Sequence, residues 1–140
     1  MSNSGGWLSV YLLIPALAWF VAQTLKMVFE LSKPVHQRNK KILRSGSMPS
    51  AHSATMAALL TVVGMRQGVD SGLFGVVAVL TAIILYDAIN VRRAVGEQGE
   101  VLKQIAPKKL FYTAQGHKLV EILAGLLIGV ITAYGLLQIL

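Results

Sequence analysis

The chain has 140 residues, of which 54% are hydrophobic and only 14% charged, with mean hydropathy +0.62 and a formal net charge of +7. A soluble domain carries about 25% charged residues, so this deficit, with long apolar runs, excludes a soluble globular domain and points to an all-α integral membrane bundle. No cysteine is present, which excludes disulfides and thiolate metal sites.

The N-terminal MSNSGGW has no basic region, and the apolar run after it is too long for a usual signal peptide, so it is read as structure. Four spans are expected, at about 7–29, 50–66, 72–90 and 119–140, making residues 1–140 a single transmembrane domain. Pro15 falls inside the first span and is tolerated where neighbours satisfy the freed carbonyl. The span closes on Lys26, which reads either as a snorkelling anchor or as a phosphate ligand.

A basic loop follows, and then the stretch RSGSMPSAHS at 44–53. Ser47 or Ser50 can cap the next helix, and Pro49 suits a helix start. A helix N-terminus offers free N–H groups and a positive dipole end, which suits an anion. Arg44 adds a planar fork for phosphate oxygens, and His52 in the first turn can donate or accept a proton. The plainer alternative is an interfacial cap with a snorkelling Arg. The second span is short for a bilayer, so it is expected to begin below the surface or to tilt into a packed bundle. Ala54, Ala57 and Ala58 allow close approach of a neighbouring helix.

The third span ends in YDAINVRRAVGEQ at 86–98. Asp87 is costly there unless paired, and Arg92 and Arg93 are natural partners for it or for a phosphate. The plainer alternative is an ordinary helix-end ion pair. A loop is expected from 91 to 118. After it, GHKLVEILAG at 116–125 places His117 and Glu121 four apart on one helical face, where an acid can hold the imidazole tautomer and raise the nucleophilicity of the other ring nitrogen. Gly125 and Gly129 form a GxxxG in the last span, used either for bundle packing or for a homo-oligomer contact.

Charge sets the expected orientation. The loop from Lys26 to Arg44 holds Lys26, Lys33, Arg38, Lys40, Lys41 and Arg44 against one acid, Glu30, and the loop from 91 to 118 holds Arg92, Arg93, Lys103, Lys108, Lys109 and Lys118 against Glu97 and Glu100. The turn between the second and third spans has only Arg66 and Asp70. The basic side is therefore expected to be cytoplasmic, with both termini outside, in the cell inner (plasma) membrane. Bases beside apolar segments fit anionic lipid headgroups rather than nucleic acid.

Taken together, SGSMPSAHSA, YDAINVRRAVGEQGEVL and GHKLVEILAGLLIG resemble the phosphatidic acid phosphatase type 2 superfamily, related to the vanadium-dependent haloperoxidases. The closer resemblance is to its small divergent bacterial and plant branch. It implies a phosphohistidine mechanism without a cofactor, with His117 as nucleophile, Glu121 as its orienter and His52 as general acid. By the same resemblance Ser50 and the Ala51 amide line a phosphate cradle, with charge from Arg44 and Lys26, and Arg92 or Arg93 substitute for missing family arginines. Ala51 stands where the motif has Gly, and Glu121 where it has Asp. The first motif of the wider family has no match between Lys33 and Lys41, and its pre-histidine Arg falls on Phe111.

The leading expectation is a membrane phosphatase acting on a lipid phosphate monoester or diphosphate. Two alternatives stand beside it. Asp87, Glu97 and Glu121 are acids near phosphate-binding bases and are candidates to hold Mg²⁺. A non-enzymatic membrane protein that binds anionic headgroups without turnover also fits the basic loops.

Overall fold

The computed structural model describes residues 4–34, 36, 48–106 and 116–140, with side chains described from residue 10 onward. Helix α1 (Ser4–Leu31) buries an i, i+4 ridge of Ile14, Ala18, Ala22, Lys26 and Glu30, with Pro15 beside it. Ridges of this spacing are what helices set into one another's grooves. The ridge begins apolar and ends charged, so α1 carries its polar chemistry near its C-terminal end. The outer side, with Leu12, Leu17, Phe20 and Phe29, is exposed.

Helix α2 (Ala51–Gln67) has 17 residues, a rise of about 26 Å, against a hydrocarbon core of about 30 Å. It packs against α1, α3 (Gly72–Tyr86) and α5 (Leu119–Ile139), and so forms the centre of the bundle. Ala22 clusters with Ala51, Ala54 and Ile128, while Ile14 and Ala18 cluster with Ala58, Val62 and Ala133. These contacts make α1 antiparallel to α2, and α5 parallel to it. At the far end, Gln67 Nε2 donates to the Tyr11 hydroxyl at 2.9 Å, which agrees with that order.

The GxxxG of the last span is used inside the chain. Gly125 faces the Ser50 carbonyl and Ser53, and Gly129 faces the Ala54 carbonyl and Ala57. Of the two uses open for this motif, bundle packing is the one seen: α2 occupies the groove along Gly125 and Gly129. Small residues lining the interior and large aliphatic ones on the exterior are the pattern of helices solvated by lipid, where close backbone approach drives association.

Gly68, at φ +86°, lets the chain reverse after α2, and Ser71 Oγ accepts the Phe74 N–H to start α3. The helix expected to stop at Asn90 does not stop. It passes through a π-helical turn, Asp87–Val91, into α4 (Arg92–Ile105). The apolar run ends there, but good helix formers such as Arg, Ala, Glu, Gln, Leu and Lys carry the backbone on. Pro107 in the sequence disfavours a helical residue before it, and Ala106 is already non-helical. Half of the loop expected over 91–118 is thus an amphipathic helix.

Among the described residues three helices are long and apolar enough to cross a bilayer: Val10–Leu31, Gly72–Ile105 and Leu119–Ile139. Together with α2 they form an all-α membrane bundle.

Candidate functional site

The polar groups gather where α2 and α5 begin and where α1 and α3 end. Gly116 leads into α5 and lies against Arg93: an added Cβ would sit 2.5 Å from the Arg93 nitrogen and 2.7 Å from its Cα. Only glycine fits so near a backbone. The next residue, His117, donates its backbone N–H to the Ala88 carbonyl at 3.1 Å, tying the start of α5 to the π turn.

Glu121 curls back over this first turn. Its Oε2 accepts the Lys118 N–H at 3.1 Å and lies 2.9 Å from His117 Nδ1. A carboxylate only accepts, so in the neutral imidazole Nδ1 carries the proton and Nε2 has the lone pair. The side chains of His117 and Glu121 are only 12% and 15% exposed. That shielding keeps water from competing for their hydrogen bond.

The start of α2 is strapped to the same turn. Ser50 N–H donates to the Glu121 carbonyl at 3.0 Å. The Ser50 hydroxyl accepts from Ser53 N–H at 3.4 Å and from Ser53 Oγ–H at 2.9 Å. Both serines are fully buried. Ser50 is therefore a helix cap turned into the bundle, and Ala51 beside it is also buried. His52 points outward, and Arg92, His117, Lys26 and Asp87 all act on it electrostatically. Residues from four segments of the chain thus share one charge environment.

Lys26 is 6% exposed and does not snorkel. It faces the bundle interior, where the carboxylates of Glu121 and Glu30 act on its ammonium. Glu30, 2% exposed, accepts from Lys33 Nζ at 2.8 Å. Glu30 was missed from the sequence, although its place four residues after Lys26 puts both on one face.

Asp87 and Arg92 pair at 2.7 Å, five residues apart, a spacing that the π turn brings into register. Arg93 pairs with Glu97 at 3.0 Å on the exposed side of α4. Among the described residues no three of His, Asp and Glu come together as a cation site. The acids named for Mg²⁺ are separately engaged: Asp87 with Arg92, Glu97 with Arg93 and Glu121 with His117. A cavity of about 590 Å³ opens beside the dyad, lined by Arg93, Gly96, Glu97 and Glu100 of α4 and by Gly116, His117, Lys118 and Glu121. Glu100 and Lys118 are lining groups that sequence reasoning had not assigned. Arg44 lies outside the described residues.

Lipid-facing helices around a buried polar end define a multi-pass helical membrane protein. The chain belongs to the Divergent PAP2 family, which it matches over residues 8–132. It is also similar to the uncharacterized membrane protein YuiD of Bacillus subtilis (strain 168), with 44% identity over 64 residues. That alignment covers 46% of this chain and 40% of the relative, so the match spans less than half of the relative's length. No solved structure matches.

Proposed function

We propose that the chain is a membrane-embedded phosphatase acting on a lipid phosphate monoester or diphosphate. One observation carries this reading: the His117–Glu121 dyad, His52, Lys26 and Arg92, far apart in sequence, converge at one end of the bundle. In the proposed reaction, His117 Nε2 attacks phosphorus and the bond to the lipid oxygen breaks. His52 gives that leaving oxygen its proton. Water then attacks the phosphohistidine, passing a proton back to His52, and inorganic phosphate leaves with His117 restored. Phosphoryl transfer chiefly needs positioning and positive charge around the equatorial oxygens. Lys26, Arg92, Arg93 and Arg44 are the proposed sources of charge, with the amides of the α2 start near Ala51. A site at headgroup level suits a substrate with a buried tail and an anionic head.

The side of the membrane belongs to the same proposal. Lys33, Arg92, Arg93, Lys103 and Lys118 lie toward the dyad end, and only Arg66 and Asp70 lie in the opposite turn. The positive-inside rule then puts the site on the cytoplasmic face of the inner membrane and both termini outside. A topology reporter placed after Ile105 is expected on the cytoplasmic side, and an external location overturns the orientation.

The test of function is phosphate release by the purified protein in detergent from phosphatidic acid, phosphatidylglycerophosphate and a polyprenyl diphosphate. His117→Ala is expected to abolish it. Glu121→Ala removes a hydrogen bond to a charged group, worth about 1.5–3 kcal/mol, and is expected to slow release roughly ten- to 150-fold. Release that survives His117→Ala sinks the nucleophile assignment. Release lost on chelation instead favours Mg²⁺ among Asp87, Glu97 and Glu121, and lipid binding without any release favours the non-enzymatic reading.

A further inference from the structure

We infer that α4 lies at the bilayer surface as an interfacial helix, its apolar face set into the boundary between headgroups and acyl chains. Length is the first reason. Helix α3 and the π turn have 15 and 5 residues, which rise about 30 Å, the thickness of the hydrocarbon core. The continuous run Gly72–Ile105 has 34 residues, about 51 Å by the same rise. Helix α4 therefore begins where the hydrocarbon ends.

The distribution of side chains is the second reason. At 3.6 residues per turn, Val95, Val101, Leu102 and Ile105 of α4 fall within an arc of about 120°, with Ala94 and Gln98 between them. Arg93, Gly96, Glu97 and Glu100 fall on the opposite arc, and those four line the cavity beside His117. A surface helix of a water-soluble protein turns its apolar stripe to the core and its charges to solvent. Helix α4 turns no stripe to a core: only Gly96 and Gly99 are buried, its charged side lines the cavity with Arg93 and Glu97 still 72% and 68% exposed, and its apolar side is open, from 44% exposed at Val95 to 74% at Ile105. Among the described helices its main neighbour is the π turn, so no described helix covers that face.

Continuity identifies the occupant. Val79, Ile83 and Tyr86 on α3 are exposed toward lipid, and the apolar arc of α4 follows directly on the same helix. Tyr86 and Arg92 mark the junction, as aromatic and cationic residues do at a membrane–water interface. Bends of helices occur at π turns, and this one falls at the headgroup boundary. The net charge of +7 selects an anionic leaflet. Seated in this way, α4 forms a wall with the cavity on its inner side and lipid on its outer side, whether or not the cavity turns lipid over.

The absence of cysteine makes the test direct. Single-cysteine variants Val95→Cys, Leu102→Cys, Ile105→Cys and Gln104→Cys of the full chain are labelled with a nitroxide. They are reconstituted in vesicles of phosphatidylglycerol and phosphatidylethanolamine, after each has been shown to elute like the wild type. Val101→Cys replaces any apolar-face variant that fails that check. Collision with dissolved oxygen is expected to exceed collision with a water-soluble nickel chelate several-fold at positions 95, 102 and 105. The order is expected to reverse at 104. Equal chelate access at all four positions overturns the inference, because the face then lies in water. Shielding from both reagents at 95, 102 and 105 also overturns it, because protein rather than lipid then covers the face.

Discussion

Gly125→Ala tests the contact that holds the two halves of the site together. A Cβ built on Gly125 falls on the Ser50 carbonyl oxygen, 2.9 Å from Ser53 Cβ and 3.2 Å from the Ser50 carbonyl carbon. Carbon atoms pack best at about 3.5–4.0 Å. The atoms met belong to the cap and first turn of α2, which cannot swing aside as a long side chain would. The helices must therefore separate by something on the order of 1 Å, and such overpacking costs about 1–3 kcal/mol. A glycine-to-alanine change also raises helix propensity by about 1 kcal/mol. Gly135→Ala, on the same helix, provides the correction, since nothing lies within 4 Å of its added Cβ. The propensity gain cancels between the two variants, and their difference isolates the packing penalty. Gly125→Ala is thus expected to unfold with an equilibrium constant roughly five- to 150-fold larger than Gly135→Ala, following about 1.4 kcal/mol per tenfold. Denaturant titration in micelles, followed by circular dichroism, measures both. Equal midpoints and slopes for the two would refute the close α2–α5 contact. The same displacement reaches the site, because the Ser50 N–H to Glu121 carbonyl bond lies one turn away at 3.0 Å. A misplacement of about 1 Å between His52 and His117 is expected to lower the proposed phosphate release by about 100-fold.

Lys26→Met removes the ammonium that acts on the Glu30 and Glu121 carboxylates, which keep Lys33 and His117, and is expected to destabilise the bundle by about 1–3 kcal/mol in the same titration. Adding Glu30→Gln is expected to bring a smaller loss than the two single changes summed, since the groups form one network; strict additivity argues against that network. Asp87→Asn breaks an ion pair whose side chains are 39% and 49% exposed, so the stability change is expected to stay below about 1 kcal/mol. A larger loss in the unfolding midpoint would mean that the π turn depends on that pair.

Some of the site was readable before any coordinates. The four-residue spacing of His117 and Glu121 predicts a shared face, and the pair is made at 2.9 Å. The sequence offers Ser47 or Ser50 as the cap of the second span, and Ser50 caps α2. Glu30 escaped notice because it was counted among loop charges, whereas it closes the buried ridge that Ile14 begins. Helix α4 escaped because spans were counted by apolar runs, and an amphipathic helix with five charged residues has none.

The sequence by itself determined which segments enter lipid and which residues share a helical face, because both follow from local chemistry: the transfer of apolar side chains, and a fixed rise and turn per residue. Only the tertiary structure decided that Gly125 and Gly129 face α2 rather than a second copy, that Lys26 turns inward, and that His52 comes under the charge of His117. Those outcomes depend on packing between helices far apart in the chain. The energy of such packing depends on the shape of both surfaces at once, and a helix's own sequence describes only one of them.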